Sequence, residues 1–450
     1  MLIDFLLKEF EEKKNNDAIV WKNQTFTYSW LLERYKYWVD KIESQKINKG
    51  SIAIVEADFS PNSVSLLLAL IGHGCVFVPI TKSVASKKDE FIEIAQGEVL
   101  FVIDENDNVF ISNLPYKSSH EMYKKLRQAE HPGLVLFSSG STGKSKASLH
   151  DITGILEKFK VKRHALKTIT FLLYDHIGGF NTLLYVLSNA GLIVTVNDRS
   201  PDGVLKAVQE HKVELLPTSP TFINLILLSE AYERYDISSL KTVTYGTEPM
   251  PENTLKRFNH LFKHIKLLQT YGLSEVGILR SKSKSSDSLW VKVGGEGFET
   301  RVIDGMLEIK ARSAMIGYLN APSPFTDDGW FKTGDAVEVD GEFIKILGRK
   351  SEIINVGGEK VYPQEIENII LEIDNVAEVT VYSEKNPITG NIVCANVCLI
   401  SKEEKKEFIK RVKTYCLERL QKYKVPIKVS ISYEGQYSDR FKKKRNELQK

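Results

Sequence analysis

The chain has 450 residues, 42% of them hydrophobic and 26% charged, with a formal net charge of +3. That length and apolar content suffice for a substantial core and suggest two or more domains, while the near-neutral balance gives no reason to expect nucleic acid or an anionic membrane as partner. Four cysteines, none in a CxxC pair, exclude a disulfide-rich secreted scaffold; Cys394 and Cys398 read as buried strand thiols.

Residues 1–14 are amphipathic and lack the cationic start and cleavage site of a signal peptide. Short apolar runs then alternate with helical patterns. Residues 51–55 read as a strand, 62–71 as a helix and 76–79 as a strand; 191–196, 202–212 and 214–217 repeat that order. Such alternation argues for mostly parallel sheets covered by helices, an α/β fold. The apolar stretches 65–80 and 169–196 are broken by His73 and by Asp175, His176, Asn181 and Asn189, so neither reads as a bilayer span. A soluble cytoplasmic protein is expected.

The pattern changes after about Trp290. Residues 302–309 and 336–347 alternate as antiparallel strands do, with a turn at Asp340-Gly341, and imply a small barrel-like part. A small α+β module follows. Pro363 suits the first turn of a helix with the stripe Ile366, Ile369, Ile370 and Ile373. Residues 379–382 and 392–399 read as strands, and Ser401 with Glu404 reads as the capping box of a helix carrying Phe408, Val412, Cys416 and Leu420. The expected domains are 1–349 and a mobile 350–450.

An apolar run at 134–137 feeds Ser138-Ser139-Gly140-Ser141-Thr142-Gly143-Lys144-Ser145-Lys146. Small hydroxyl residues and glycines let backbone N–H groups approach phosphate oxygens, and a lysine adds charge. Gly143-Lys144-Ser145 ends like a P-loop, but Ser138 stands where its first glycine belongs, and the following residues look extended rather than helical.

This loop, Ser139 to Gly143 with Lys146, resembles that of the acyl-adenylate-forming superfamily, which includes acyl-CoA synthetases, nonribosomal peptide synthetase adenylation domains and luciferase. The proline usual before the lysine is Ser145 here. Further motifs resemble the family in order. Thr244-Tyr245-Gly246-Thr247-Glu248-Pro249 resembles its adenine-contacting turn. In Gln269-Thr270-Tyr271-Gly272-Leu273-Ser274-Glu275, the resemblance implies Tyr271 on adenine, Ser274 at the α-phosphate and Glu275 at Mg²⁺. Asp335, within residues 329–335, and Arg349 are implied to hold the ribose, and Lys350 to be the hinge. Gly357-Gly358 is implied to line a tunnel for a pantetheine arm.

The family's catalytic lysine near the C-terminus often follows Thr-Gly, which is absent here. Phe441-Lys442-Lys443-Lys444-Arg445 resembles the variant Phe-Lys-x-Lys-Arg of some acyl-CoA synthetases, which implies Lys442, with Lys443 and Lys444 as alternatives. Its task is physical: an ammonium stabilises the charge shared by an attacking carboxylate and a negative α-phosphate. The acyl pocket is expected at residues 174–181, with Asp175, His176, Gly179 and Phe180, and at Thr218, Phe222 and Ile278. These aromatic and aliphatic candidates suggest a mostly apolar acid, whereas an inward Asp175 would call for an ammonium or hydroxyl on it.

The resemblance thus implies ATP-dependent adenylation of a carboxylic acid with ATP and Mg²⁺, then transfer to CoA or a phosphopantetheinyl carrier protein. A stand-alone amino-acid adenylating enzyme and an inactive nucleotide-binding relative are the alternatives.

Overall fold

The computed structural model describes residues 2–139, 145–433, 435, 437 and 441. Two seven-stranded sheets dominate it. One runs Lys266–Gln269, Thr242–Tyr245, Leu215–Thr218, Lys167–Ile169, Leu192–Val194, Asp17–Trp21 and Gln24–Thr27, all parallel except the last pair. The other runs Gly317–Tyr318, Ser145–Asp151, Gly133–Ser139, Val76–Ile80, Ile52–Glu56, Val99–Ile103 and Val109–Asn113, parallel in its middle and antiparallel at both margins.

The central strands Ile52–Glu56 and Val76–Ile80 are buried on both faces, which is why they read as unbroken apolar runs. The helix between them, Pro61–His73, has complete punctuation. Ser60 and Ser63 cap it reciprocally, Pro61 opens it, and Gly74 ends it in the left-handed region. As expected, the chain continues from the phosphate-type loop into the strand Ser145–Asp151, not into a helix, so the P-loop likeness is fortuitous.

The six-stranded antiparallel half-barrel runs Ser281–Ser283, Val291–Val293, Phe343–Arg349, Phe331–Asp340, Met306–Ala311 and Phe298–Ile303. Asp340 pairs with Phe343, so the two-residue turn is Gly341-Glu342, one residue later than the Asp340-Gly341 expected from the sequence. A last core gathers Ile354, Val361, Ile366, Ile370, Val379, Val397, Phe408, Val412 and Cys416 beneath the sheet Val376–Asn386, Gly390–Leu399 and Lys428–Ser432. Pro363 opens its helix Pro363–Ile370. All four cysteines are free and buried.

One cap differs from expectation. The helix Lys405–Arg419 starts after Glu404, whose carboxylate accepts from the Glu407 N–H at 2.7 Å. Ser401 lies outside the helix; its N–H and hydroxyl both donate to Asn375 Oδ1 at 2.9 Å. A carboxylate serves as N-cap as well as a hydroxyl does, so the Ser-x-x-Glu pattern was read one turn early. Among the described residues no helix is long and apolar enough to cross a membrane.

Candidate active site

Ligands of parallel α/β sheets gather outside the carboxyl ends of the strands. Here Leu215–Thr218, Thr242–Tyr245 and Lys266–Gln269 end at Thr218, at the turn 246–249 and at 270–275, and all three ends line one cleft of about 1510 Å³. Ser138 and Lys146 line it from the second sheet; Asp335, Arg349 and Lys350 close it from the half-barrel. Residues 140–144, with Gly140, Ser141, Thr142 and Gly143, lie outside the described residues, as do the side chain of Ser139 and all of Lys442.

The motif residues meet through a small network. Tyr271 Oη donates to Asp335 Oδ2 at 2.5 Å, and Arg349 Nε lies 3.0 Å from Asp335 Oδ1. Burial pushes the Asp335 carboxyl above its usual range, against the pull of Arg349. Tyr318 Oη donates to Glu275 Oε1 at 2.6 Å, and its ring lies under Lys146 Nζ at 5.2 Å. Tyr318 therefore ties the loop lysine to the glutamate, a link with no signal in the sequence because it sits alone between motifs. Ser274, Gly272, Thr247 and Pro249 also line the cleft. Glu248 lines it too, with its carboxylate accepting from the Thr221 N–H at 2.9 Å and from the Thr221 hydroxyl.

Of the expected pocket residues, His176, Thr218 and Ile278 line the cleft, whereas Asp175, Gly179, Phe180 and Phe222 do not. The reason is helix phase. The helix Ile177–Ser188 begins at His176, whose Nδ1 accepts from the Gly178 N–H at 3.0 Å. From there Gly178, Asn181, Thr182, Tyr185 and Ser188 face the cleft, while Phe180, Leu183, Leu184 and Leu187 face the core. Gly179 packs on backbone: an added Cβ would lie 2.0 Å from Leu173 O. Asp175 is buried behind the helix start and accepts from Thr81 Oγ1 at 3.0 Å. Phe222 instead packs on Phe171 at 4.2 Å and Phe441 at 5.2 Å, and Ser219 Oγ donates to Phe441 O at 2.8 Å. Gly357 and Gly358 form an exposed turn between Ile354–Val356 and Glu359–Val361, away from the cleft, with φ of 62° and 94°.

Residues 7–295 match the model of the AMP-binding enzyme family, and residues 365–434 match the model of its C-terminal domain. The chain belongs to the AMP-binding enzymes. It is 28% identical over 293 residues to an indoleacetate–CoA ligase of Aromatoleum aromaticum, covering 59% of this chain and 57% of that protein. It is 24% identical over 454 residues to a 2-succinylbenzoate–CoA ligase of Bacillus cytotoxicus, covering 93% and 92%. A crystal structure of an anthranilate–CoA ligase in complex with anthranoyl-AMP superposes with a TM-score of 0.82 at 17% identity, covering 99% of this chain and 96% of that one.

Behind the cleft of this AMP-binding enzyme lies His150, fully buried against the backbone of Ser274 and Ser313. Burial lowers its pKa from 6.5 to about 4, so the folded protein holds the ring neutral. Between these two values the unfolded chain binds a proton that the folded one does not. The stability is therefore fully present above pH 6.5 and is lost as the pH falls towards 4, by about 3 kcal/mol. Denaturant melts at both pH values should show that loss, and His150→Gln should flatten it; an equal pH slope in the variant would assign the loss to other groups.

Proposed function

We propose that this AMP-binding enzyme joins a carboxylic acid to the α-phosphate of ATP, releasing pyrophosphate, and then passes the acyl group to the thiol of CoA. The single observation that carries the reading is the convergence of Lys146, Ser274, Glu275, Asp335 and Arg349 on one cleft from separate parts of the chain. A phosphopantetheinyl carrier protein as acceptor is the finer alternative. A cytoplasmic setting fits four free cysteines.

In this reading Asp335 accepts hydrogen bonds from the ribose hydroxyls, pre-set by Tyr271 and Arg349, and the Tyr271 ring flanks adenine. Ser274 and Lys146 take phosphate oxygens. The acid's carboxylate, already ionised near pH 7, attacks the α-phosphorus; the new acyl C–O–P linkage forms as the bond to pyrophosphate breaks. Lys442 supplies an ammonium to the charge shared in that transition state. Glu275, a hard oxygen donor held by Tyr318, fits Mg²⁺, which favours one or two carboxylates with phosphate and water. Bound there, the cation would neutralise the departing pyrophosphate.

For the second half-reaction we read residues 350–450 as a domain that turns about Lys350 and carries Gly357-Gly358 to the acyl-adenylate. The absence of Asp175 from the cleft lining supports a non-amino acid, because an ammonium would find no carboxylate at that position.

The test is acid- and Mg²⁺-dependent exchange of pyrophosphate into ATP across a panel of acids. Glu275→Gln should lower it about 100-fold, since a neutral amide is a poor ligand for a hard cation, while nucleotide affinity changes little. Unchanged exchange in that variant would remove Glu275 from the metal site, and no exchange with any acid would favour an inactive nucleotide-binding relative.

A further inference from the structure

The arm of the cleft beside the helix Ile177–Ser188 carries cationic and polar side chains as well as apolar ones. Lys158, in the short turn Glu157–Phe159, reaches into it. Its Nζ donates to Asn181 Oδ1 at 2.5 Å and to Ile278 O at 2.7 Å, and lies 5.0 Å from the Phe159 ring centroid. These contacts satisfy two of its three N–H donors with neutral acceptors. No carboxylate of the described residues pairs with it.

Arg163 and Arg280 line the same arm and act on Lys158 as like charges. Arg280 has one carboxylate near it, Glu296 at 3.9 Å, largely exposed. Asn181, Thr182, Tyr185 and Ser188 line the cleft from the helix, together with the apolar Phe159, Val161 and Leu166; the acidic lining residues Glu248, Glu275, Asp335 and Glu352 come from the segments 244–249, 269–275, 329–335 and 349–352. Burial, followed by the two arginines, pulls the Lys158 pKa down to about 7, as expected of an ammonium left without an anion. A buried cation without an anion costs the fold stability, and an anionic ligand would offset that cost.

The position is close to the reacting turn. Ile278, whose carbonyl holds Lys158, is the antiparallel partner of Gly272, two residues before Ser274. Ile278 thus links the Lys158 ammonium to the strand pair that leads into Ser274.

From this arrangement we infer that the acid carries a second anionic group, a distal carboxylate, that Lys158 receives with Arg163 and Arg280. The substrate class is then a dicarboxylic acid activated at one end only. This rests on the adenylation reading above and narrows it. The distal anion makes the same contact before and during the reaction, so it contributes to KM rather than to kcat.

The experiment compares dicarboxylic acids with chain-matched monocarboxylic acids and half-esters in pyrophosphate exchange, where no thiol is present to offer phosphates to the same cations. The wild type is expected to favour the diacid by about 100-fold or more in kcat/KM, because a neutral end leaves the cation unpaired. Lys158→Met should raise KM for the diacid about 100-fold at similar kcat, and should raise kcat/KM for the neutral analogue, reversing the preference. A higher melting temperature of the unliganded variant would show that the fold is intact and a buried charge is gone. Arg163→Ala, on an exposed loop, should weaken the diacid preference about tenfold without touching the core. Equal use of monoacids and diacids by the wild type, or an unaltered diacid KM in Lys158→Met, overturns this inference and leaves adenylation standing. Failure of every acid of either class to support exchange overturns the adenylation reading, and this one with it.

Discussion

Replacing Lys442 by alanine is expected to lower acid-dependent pyrophosphate exchange by about 100- to 1,000-fold, the range for loss of one preorganised donor to transition-state charge. Attack brings a carboxylate onto an already negative phosphorus, and such a loss corresponds to about 3–4 kcal/mol of activation free energy. Lys442 lies outside the described residues, but its neighbour Phe441 is packed against Phe171 and Phe222 and accepts from Ser219, next to the cleft residue Thr218. Melting curves and ATP titration should stay close to wild type. Full exchange in Lys442→Ala, with loss in Lys443→Ala or Lys444→Ala, would move the role along the tail.

The second large effect separates the two half-reactions. Lys350 opens the turn Lys350–Glu352, and Arg349 before it is extended, with φ of −85° and ψ of 141°. Both features accept proline at 350, which would lock the backbone where it stands. Lys350→Pro should therefore keep pyrophosphate exchange within about fivefold, yet lower thioester formation about 100-fold, because the acyl-adenylate no longer meets its acceptor in the right geometry. Quenched-flow assay of acyl-AMP and acyl-CoA would read the split. Equal loss of both half-reactions would make residue 350 a structural position rather than a pivot.

What the sequence disclosed followed the range of the interactions. The strands, the helix punctuated by Ser60, Pro61 and Gly74, and the motifs at 244–249 and 269–275 are written in neighbouring residues, so short patterns report them. Pocket chemistry depends on which face a helix turns inward. Once the helix is known to begin at Ile177, the polar series Asn181, Thr182, Tyr185 and Ser188 falls on one side, and that spacing of 3.6 was present in the sequence. The sequence left the facing of Asp175 open and expected Gly179 and Phe180 in the pocket, whereas the helix phase turns all three away from the cleft. Tyr318 and Lys158 were missed for a different reason. Each acts through partners far along the chain, Glu275 for one and Ile278 for the other, and a lone tyrosine or lysine carries no local signal.

The most direct measurement of the central claim follows one oxygen atom. The enzyme would be supplied with ATP, Mg²⁺ and an accepted acid whose carboxylate oxygens are heavy-oxygen labelled, and the products resolved by mass spectrometry. Attack of the carboxylate on the α-phosphorus requires one labelled oxygen to appear in AMP once the acyl group has left for CoA, with pyrophosphate unlabelled. Label in orthophosphate, together with ADP as the nucleotide product, would mean attack at the γ-phosphorus and would contradict the account.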